Sequence, residues 1–241
     1  MNNQKNNNSM LPVAIIGLVL IGALVGGWFW YSSTAKVNTT TTNKMSNKTP
    51  ENNAELLKNA KPGAEPPWLL GSPTATVTVE EFADFQCGTC AAKHPVAKEI
   101  INHYGSRIKF IFRNYPLTTI HDKAYDAAVA VEAAGLQGKF WDMQNLLFTN
   151  QSSWSTNNPA TFRSTLEEYA QKIGLDVEKF KADMAGLQAK TRVDKDLERG
   201  RSLRISSTPT FLINGKPVEL PQMTAEGMKQ IIDAELQKPP Q

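Results

Sequence analysis

The chain has 241 residues, and its 26 Lys and Arg against 23 Asp and Glu leave a net charge of only +3. The basic residues are dispersed rather than run together, so the electrostatic footprint of a nucleic-acid binder is missing. Two cysteines cannot build a disulfide framework, and once the N-terminal segment is set aside the length suits about one ordinary domain.

Residues 1–10 are rich in asparagine (Asn2, Asn3, Asn6, Asn7, Asn8) and read as a short, low-complexity cytoplasmic N-terminus. Residues 11–31 hold no charge and are long enough to cross a bilayer as a helix, with Trp28, Phe29, Trp30 and Tyr31 gathered at one end as interfacial aromatics gather. Lysines flank the run on both sides (Lys5; Lys36, Lys44, Lys48), so charge does not orient it. The cysteine usage suits an oxidising compartment, which puts the N-terminus inside. Ser33-Thr34-Ala35 would suit a cleaved signal peptide, but the run is longer than a signal core and reads as an uncleaved anchor. Residues 32–66 are mostly Asn, Thr, Lys and Pro and read as a flexible spacer, with a short helix at Leu56 and Leu57.

The folded domain, residues 67–241, begins near Trp68. Thr74 to Phe82 alternates around Val77 and Val79 and predicts a strand. This alternation sets Glu81 on the apolar side, where burial raises a carboxyl pKa, and leaves Glu80 as the exposed strand carboxylate. Next comes Asp84-Phe85-Gln86-Cys87-Gly88-Thr89-Cys90, the Cys-x-x-Cys of the chain, followed by a helical pattern over 91–104 that contains Pro95. A cysteine at a helix start meets unpaired backbone N–H groups and the positive end of the helix dipole, both of which favour a thiolate. Cys90, one turn on, is close enough to close a small disulfide ring with Cys87.

Arg107 to Asn114 predicts a second central strand. A helical block spans about 121–203, with breaks near Gly138, from Asn150 to Pro159, and at Gly174; Asp176 is placed to cap the helix after it. Pro209 to Ile213 predicts a strand, Asn214-Gly215 a tight turn, Lys216 to Leu220 the partner strand, and Thr224 to Gln237 a closing helix.

Three separated stretches, Glu81 to Cys90, Gln137-Gly138-Lys139-Phe140-Trp141-Asp142-Met143 and Ser207-Thr208-Pro209-Thr210-Phe211-Leu212-Ile213-Asn214-Gly215, resemble the DsbA-like thiol-disulfide oxidoreductases of the thioredoxin superfamily. The resemblance covers about Trp68 to Leu236. It implies an α/β chain: a thioredoxin fold with a helical insertion, preceded here by one transmembrane helix. It implies Cys87 as the attacked cysteine, Cys90 as its partner, and Glu81 as a buried acid exchanging protons with Cys90. It also implies that Thr208-Pro209 is a cis-proline loop against which an extended substrate pairs, with Gly88 and Thr89 at the substrate side. The strongest oxidants of the family carry Pro-His where this chain has Gly88-Thr89. The Cys87 pKa is therefore expected below the free thiol value of about 8.5 but above the family extreme of about 3.5.

The implied activity is introduction of disulfides into exported cysteine-containing proteins by a monomer, with a membrane thiol oxidase (DsbB- or VKOR-like) as electron acceptor and no cofactor. The implied place is the bacterial inner (cytoplasmic) membrane, single-pass, with the catalytic domain on the periplasmic, extracytoplasmic side. Two other readings stay open: a disulfide reductase or isomerase in the same compartment, and a chaperone-like binding protein without enzymatic activity. Metal binding is not expected. His94 shares a helix face with Cys90, but a closed zinc site needs about four ligands, and His103 and His121 read as solvent-facing.

Overall fold

The computed structural model describes residues 55–239. The expected N-terminus, the transmembrane segment 11–31 and the first part of the spacer lie outside the described residues. No helix among the described residues is long and apolar enough to cross a membrane.

Five strands form one sheet in the order β1-β3-β2-β4-β5. They are β1 (Trp68–Gly71), β2 (Val77–Ala83), β3 (Ile108–Asn114), β4 (Thr210–Ile213) and β5 (Lys216–Pro217). Strands β2 and β3 run parallel, joined by the crossover helix α1 (Gly88–Tyr104); the other neighbours are antiparallel. Glu81 lies in register with Phe112 of β3 and Phe211 of β4. Both central strands are covered on their two faces, so nearly every residue is buried. This corrects the reading of Glu80 as exposed: it is 5% exposed and bonded to Arg113 and Arg199. Burial alone would raise the Glu80 carboxyl, but hydrogen bonds and charge from the two arginines outweigh it and hold it below the usual range.

Between β3 and β4 stand six helices: α2 (Ala124–Gly135), α3 (Phe140–Thr149), α4 (Gln151–Trp154), α5 (Pro159–Lys172), α6 (Val177–Ala185) and α7 (Leu187–Ser202). The breaks are local chemistry. Gly138 and Gly174 take positive φ, Asn158 caps α5 by accepting from Thr161 N–H with Pro159 at the first position, and Asp176 caps α6 by accepting from Lys179 N–H. Alanine-rich α2 is buried almost all round, as expected of a helix that other helices surround. The Asn214-Gly215 turn has φ of 47° and 75°, the left-handed pair that a two-residue hairpin needs. Helix α8 (Ala225–Leu236), capped by Thr224, packs on α1, where Tyr104 donates to Asp233 at 2.8 Å.

Four boundaries differ from expectation. Helix α1 starts at Gly88, so both the dipeptide and Cys90 are helical. Strand β1 was not read from sequence: four residues after Pro66-Pro67 show no usable period, and the strand exists because it pairs with β3. Strand β5 stops at Pro217 rather than reaching Leu220, with one further bond from Val218 N–H to the Phe211 carbonyl at 2.9 Å. The end of the predicted spacer is tied to the domain: Arg113 donates to the carbonyls of Pro62 and Ala64, Arg199 to that of Lys61 and Arg192 to that of Pro66, while Ala64 N–H donates to buried Asp196. Leu56 and Leu57 lie in a helical stretch at 55–58, as expected, and Leu57 packs over Gly215.

Candidate active site at the start of helix α1

Cys87 is the N-cap of α1 (φ −71°, ψ 119°), with no acidic residue in the first turn to compete for the free N–H groups. Its sulfur is partly exposed and donates to the Thr208 carbonyl at 3.4 Å, while Cys90 is fully buried. The two environments push the thiols apart. Cys87 is drawn down to about 5, first by the hydrogen bond from Cys90, then, against the opposing effect of burial, by Thr208 and by the backbone N–H groups of Cys90 and Thr89. Burial pushes Cys90 far up, and the hydrogen bond to Cys87 adds to it. One sulfur is thus poised as a thiolate and the other as a thiol.

The Thr208-Pro209 peptide is cis, and it lays the Thr208 carbonyl on Cys87. The Thr208 hydroxyl is buried with no hydrogen-bond partner among the described residues, and its proximity as a donor favours the thiolate form of either sulfur. Gly88 and Thr89 are exposed, and a Cβ on Gly88 would meet nothing within 4 Å. The dithiol therefore opens to solvent through its dipeptide.

Glu81 is 1% exposed on β2. Burial alone pushes its carboxyl up to about 8, and Oε2 has no partner. No hydrogen bond joins Glu81 to either cysteine among the described residues. His94 is a core histidine: its Nε2 lies 3.2 Å from Asn145 Oδ1, its ring lies against Phe148, and burial pushes its pKa down. His103 is exposed, whereas His121, read as solvent-facing, sets Nδ1 2.8 Å from the buried Asp84 carboxylate. A cavity of about 400 Å³ between α1 and α3 is lined by Lys98, Trp141 and Gln144 but by no residue of the dithiol loop.

Sequence reading assigned no role to the residues that hold this loop. Gln151, from α4, donates to the carbonyls of Phe85 and Cys87 at 2.7 and 2.8 Å. Gln86 accepts from Lys123 N–H at 2.8 Å and donates to Asp122 at 2.9 Å. Gln86 and Asp84 lie inside the quoted motif, but Gln151, sixty-odd positions away, gives no local signal.

A family model described as "Thioredoxin" matches residues 64–234. Among solved structures, oxidised BdbD from Bacillus subtilis is 25% identical, with a TM-score of 0.61 over 75% of this chain and all of that one. The thiol-disulfide exchange protein alpha-DsbA2 from Wolbachia pipientis is 19% identical, with a TM-score of 0.58 over 70% of this chain and 86% of that one, which is likeness of fold. Curated relatives include the Na(+)/H(+) antiporter NhaA 1 of Mycolicibacterium gilvum, 36% identical over 152 residues, or 61% of this chain and 23% of that protein. Another is NhaA 3 of Salinispora tropica, 34% identical over 172 residues, or 70% of this chain and 25% of that protein. The chain thus spans about a quarter of the length of these curated relatives. By its matched family, its fold and its paired cysteines, the chain belongs to the thioredoxin family, with a DsbA-like fold.

Proposed function

We propose that the protein oxidises paired cysteines in exported proteins, held at the membrane by residues 11–31 and re-oxidised there by a membrane thiol oxidase. The observation that carries this reading is the inequality of the two sulfurs, with Cys87 drawn down to about 5 and Cys90 buried and pushed up. A thiolate held this far below the ordinary thiol stabilises the reduced enzyme, so electrons move from substrate to enzyme. The uncharged run at 11–31 supports the membrane position.

The exchange balances as follows. A substrate thiolate attacks Cys87 Sγ of the oxidised pair, the Cys87–Cys90 bond breaks, and Cys90 leaves as a thiolate that takes up a proton in its buried site. Glu81, protonated below about 8, is the proposed source of that proton, passed through a bridging group. A second substrate thiolate then attacks the substrate sulfur of the mixed disulfide, and Cys87 leaves as a stabilised thiolate. Substrate loses two electrons and two protons overall, and the dithiol gains the electrons. The open surface over Gly88 and the Thr208 backbone give an extended polypeptide room to lie across the sulfurs.

Mixing the oxidised protein with an unfolded peptide bearing two thiols tests the reading. Nearly stoichiometric appearance of the peptide disulfide is expected. With the same peptide supplied as its disulfide, the Cys87 thiolate of Cys90→Ser should attack it, release one peptide thiol and hold the peptide as a trapped adduct, while Cys87→Ser forms none. Net reduction of a disulfide-bonded peptide by the reduced protein, with little transfer the other way, would favour the reductase reading instead.

A further inference from the structure

The dithiol loop is fastened by a buried carboxylate that the exchange steps do not use. The Asp84 side chain has no exposed surface. One of its oxygens accepts from Gln86 N–H at 2.7 Å; the other accepts from Leu117 N–H at 2.8 Å and meets His121 Nδ1 at 2.8 Å. Its main chain reaches both cysteines. The Asp84 carbonyl accepts from Cys87 N–H at 3.2 Å, and its backbone lies within hydrogen-bond reach of the Cys90 sulfur. The segment from Leu117 to Lys123 thus grips Asp84 and Gln86 at four points: Leu117 N–H, His121, Asp122 and Lys123 N–H.

We propose that His121 and Asp84 are positioning residues, a latch in which the imidazole holds the buried carboxylate and the carboxylate holds the dithiol loop around its sulfurs. A buried carboxylate three residues from Cys87 opposes a thiolate there unless a donor compensates it. His121 is the side-chain donor facing that carboxylate, since the nearby charges, Asp122 and Lys123, are bonded to each other at 2.8 Å. The carboxylate also fixes the loop whose N–H groups cradle Cys87, so loosening it weakens that cradle. Loss of the His121 donor therefore raises the Cys87 midpoint on both counts. The imidazole is partly exposed, so it can be replaced without opening the core.

The inference rests on Cys87 being the attacked cysteine, and the wild-type thiolate midpoint, read first, tests that alone. The latch is then tested with His121→Leu, which removes the donor but keeps bulk, and His121→Asn, which returns an N–H near the position of Nδ1. Thiolate absorbance against pH and the equilibrium with glutathione are read on both, with far-UV circular dichroism to check folding. In His121→Leu the Cys87 midpoint should rise by about one unit, and the preference for the reduced form over glutathione should fall about tenfold. His121→Asn should recover most of both. A folded His121→Leu protein with wild-type midpoint and equilibrium overturns the latch, as does a His121→Asn protein that behaves like His121→Leu. If His121→Leu does not fold, His121→Ala is read with and without free imidazole: restoration of the midpoint by imidazole supports the latch, and no restoration overturns it.

Discussion

At the scale of single residues, the chemistry comes from placing like groups in unlike surroundings. Cys87 and Cys90 are the same side chain one helical turn apart, yet one caps a helix at the surface and the other is sealed beneath it. An ordinary thiol ionises near 8.5 and Cys87 at about 5, so over that window the reduced fold binds fewer protons than its unfolded chain. Cys87 should therefore contribute stability that rises with pH from about 5 to 8.5 and is lost as pH falls through 5. The difference in denaturant unfolding between the reduced protein and Cys87→Ser across that range checks this, because it removes the opposite contribution of Glu81. Thr208→Val keeps the carbonyl that Cys87 meets but removes the hydroxyl, and should raise the thiolate absorbance midpoint by roughly one unit. For Glu81 the sign is opposite. Its carboxyl stands at about 8 against an ordinary value near 4.3, so the native state holds the proton more tightly and stability falls as pH rises through that window. Glu81→Gln should thus be more stable than the parent at pH 9 and equal to it at pH 4 in urea unfolding, while slowing exchange with a dithiol peptide at least tenfold. Its pH 9 stability matching the parent's would contradict the buried, unpaired state of this acid. The burial of Glu81 was legible because alternation places it with Val77 and Val79. Glu80 was misread by the same rule, because a strand covered on both faces has no solvent side.

At the scale of elements, legibility tracks how local the cause is. Asp176 announces α6 because the cap and its donor lie three residues apart. Strand β1 and the clamped stretch 61–66 have causes far away in sequence, in Arg113, Arg192 and Arg199, so no window of sequence contains them. The same distance hid His121: nothing beside it indicates that its partner is Asp84, 37 positions earlier. The clamp is an ionic core built on Arg113, which bonds Glu80 at 2.7 Å and Asp196 at 3.0 Å under almost complete burial. Removing one partner of such a set leaves the others charged and buried, a loss of about 3–5 kcal/mol. Arg113→Leu should therefore lower stability in urea by about that amount and make the chain near Lys61 more sensitive to limited proteolysis, since Arg113 also holds the carbonyls of Pro62 and Ala64. Unchanged protection near Lys61 would mean that the strap is held by Arg199 and Arg192 without it.

At the scale of the whole molecule, the fold positions three chain segments on one reactive spot. The β2–α1 turn brings the cysteines, the approach to β4 brings Thr208 and Pro209, and the helical insertion between β3 and β4 holds the loop from the side through Gln151 and the Leu117–Lys123 segment. The family-level order of these segments was readable because each carries its own short motif, whereas the grip of the insertion on the dithiol loop was not, because it is made of scattered glutamines and backbone groups. The cysteine turn and Thr208 favour the thiolate of Cys87, and therefore the reduced protein. The reduced form should accordingly resist urea better than the oxidised form at pH 7. The most direct test of the central claim is the reduction potential of the Cys87–Cys90 pair, measured against glutathione buffers. An oxidant of exported proteins requires a value of about −180 to −120 mV, and a value of about −250 mV or lower would contradict that reading and identify a pair that must be supplied with electrons.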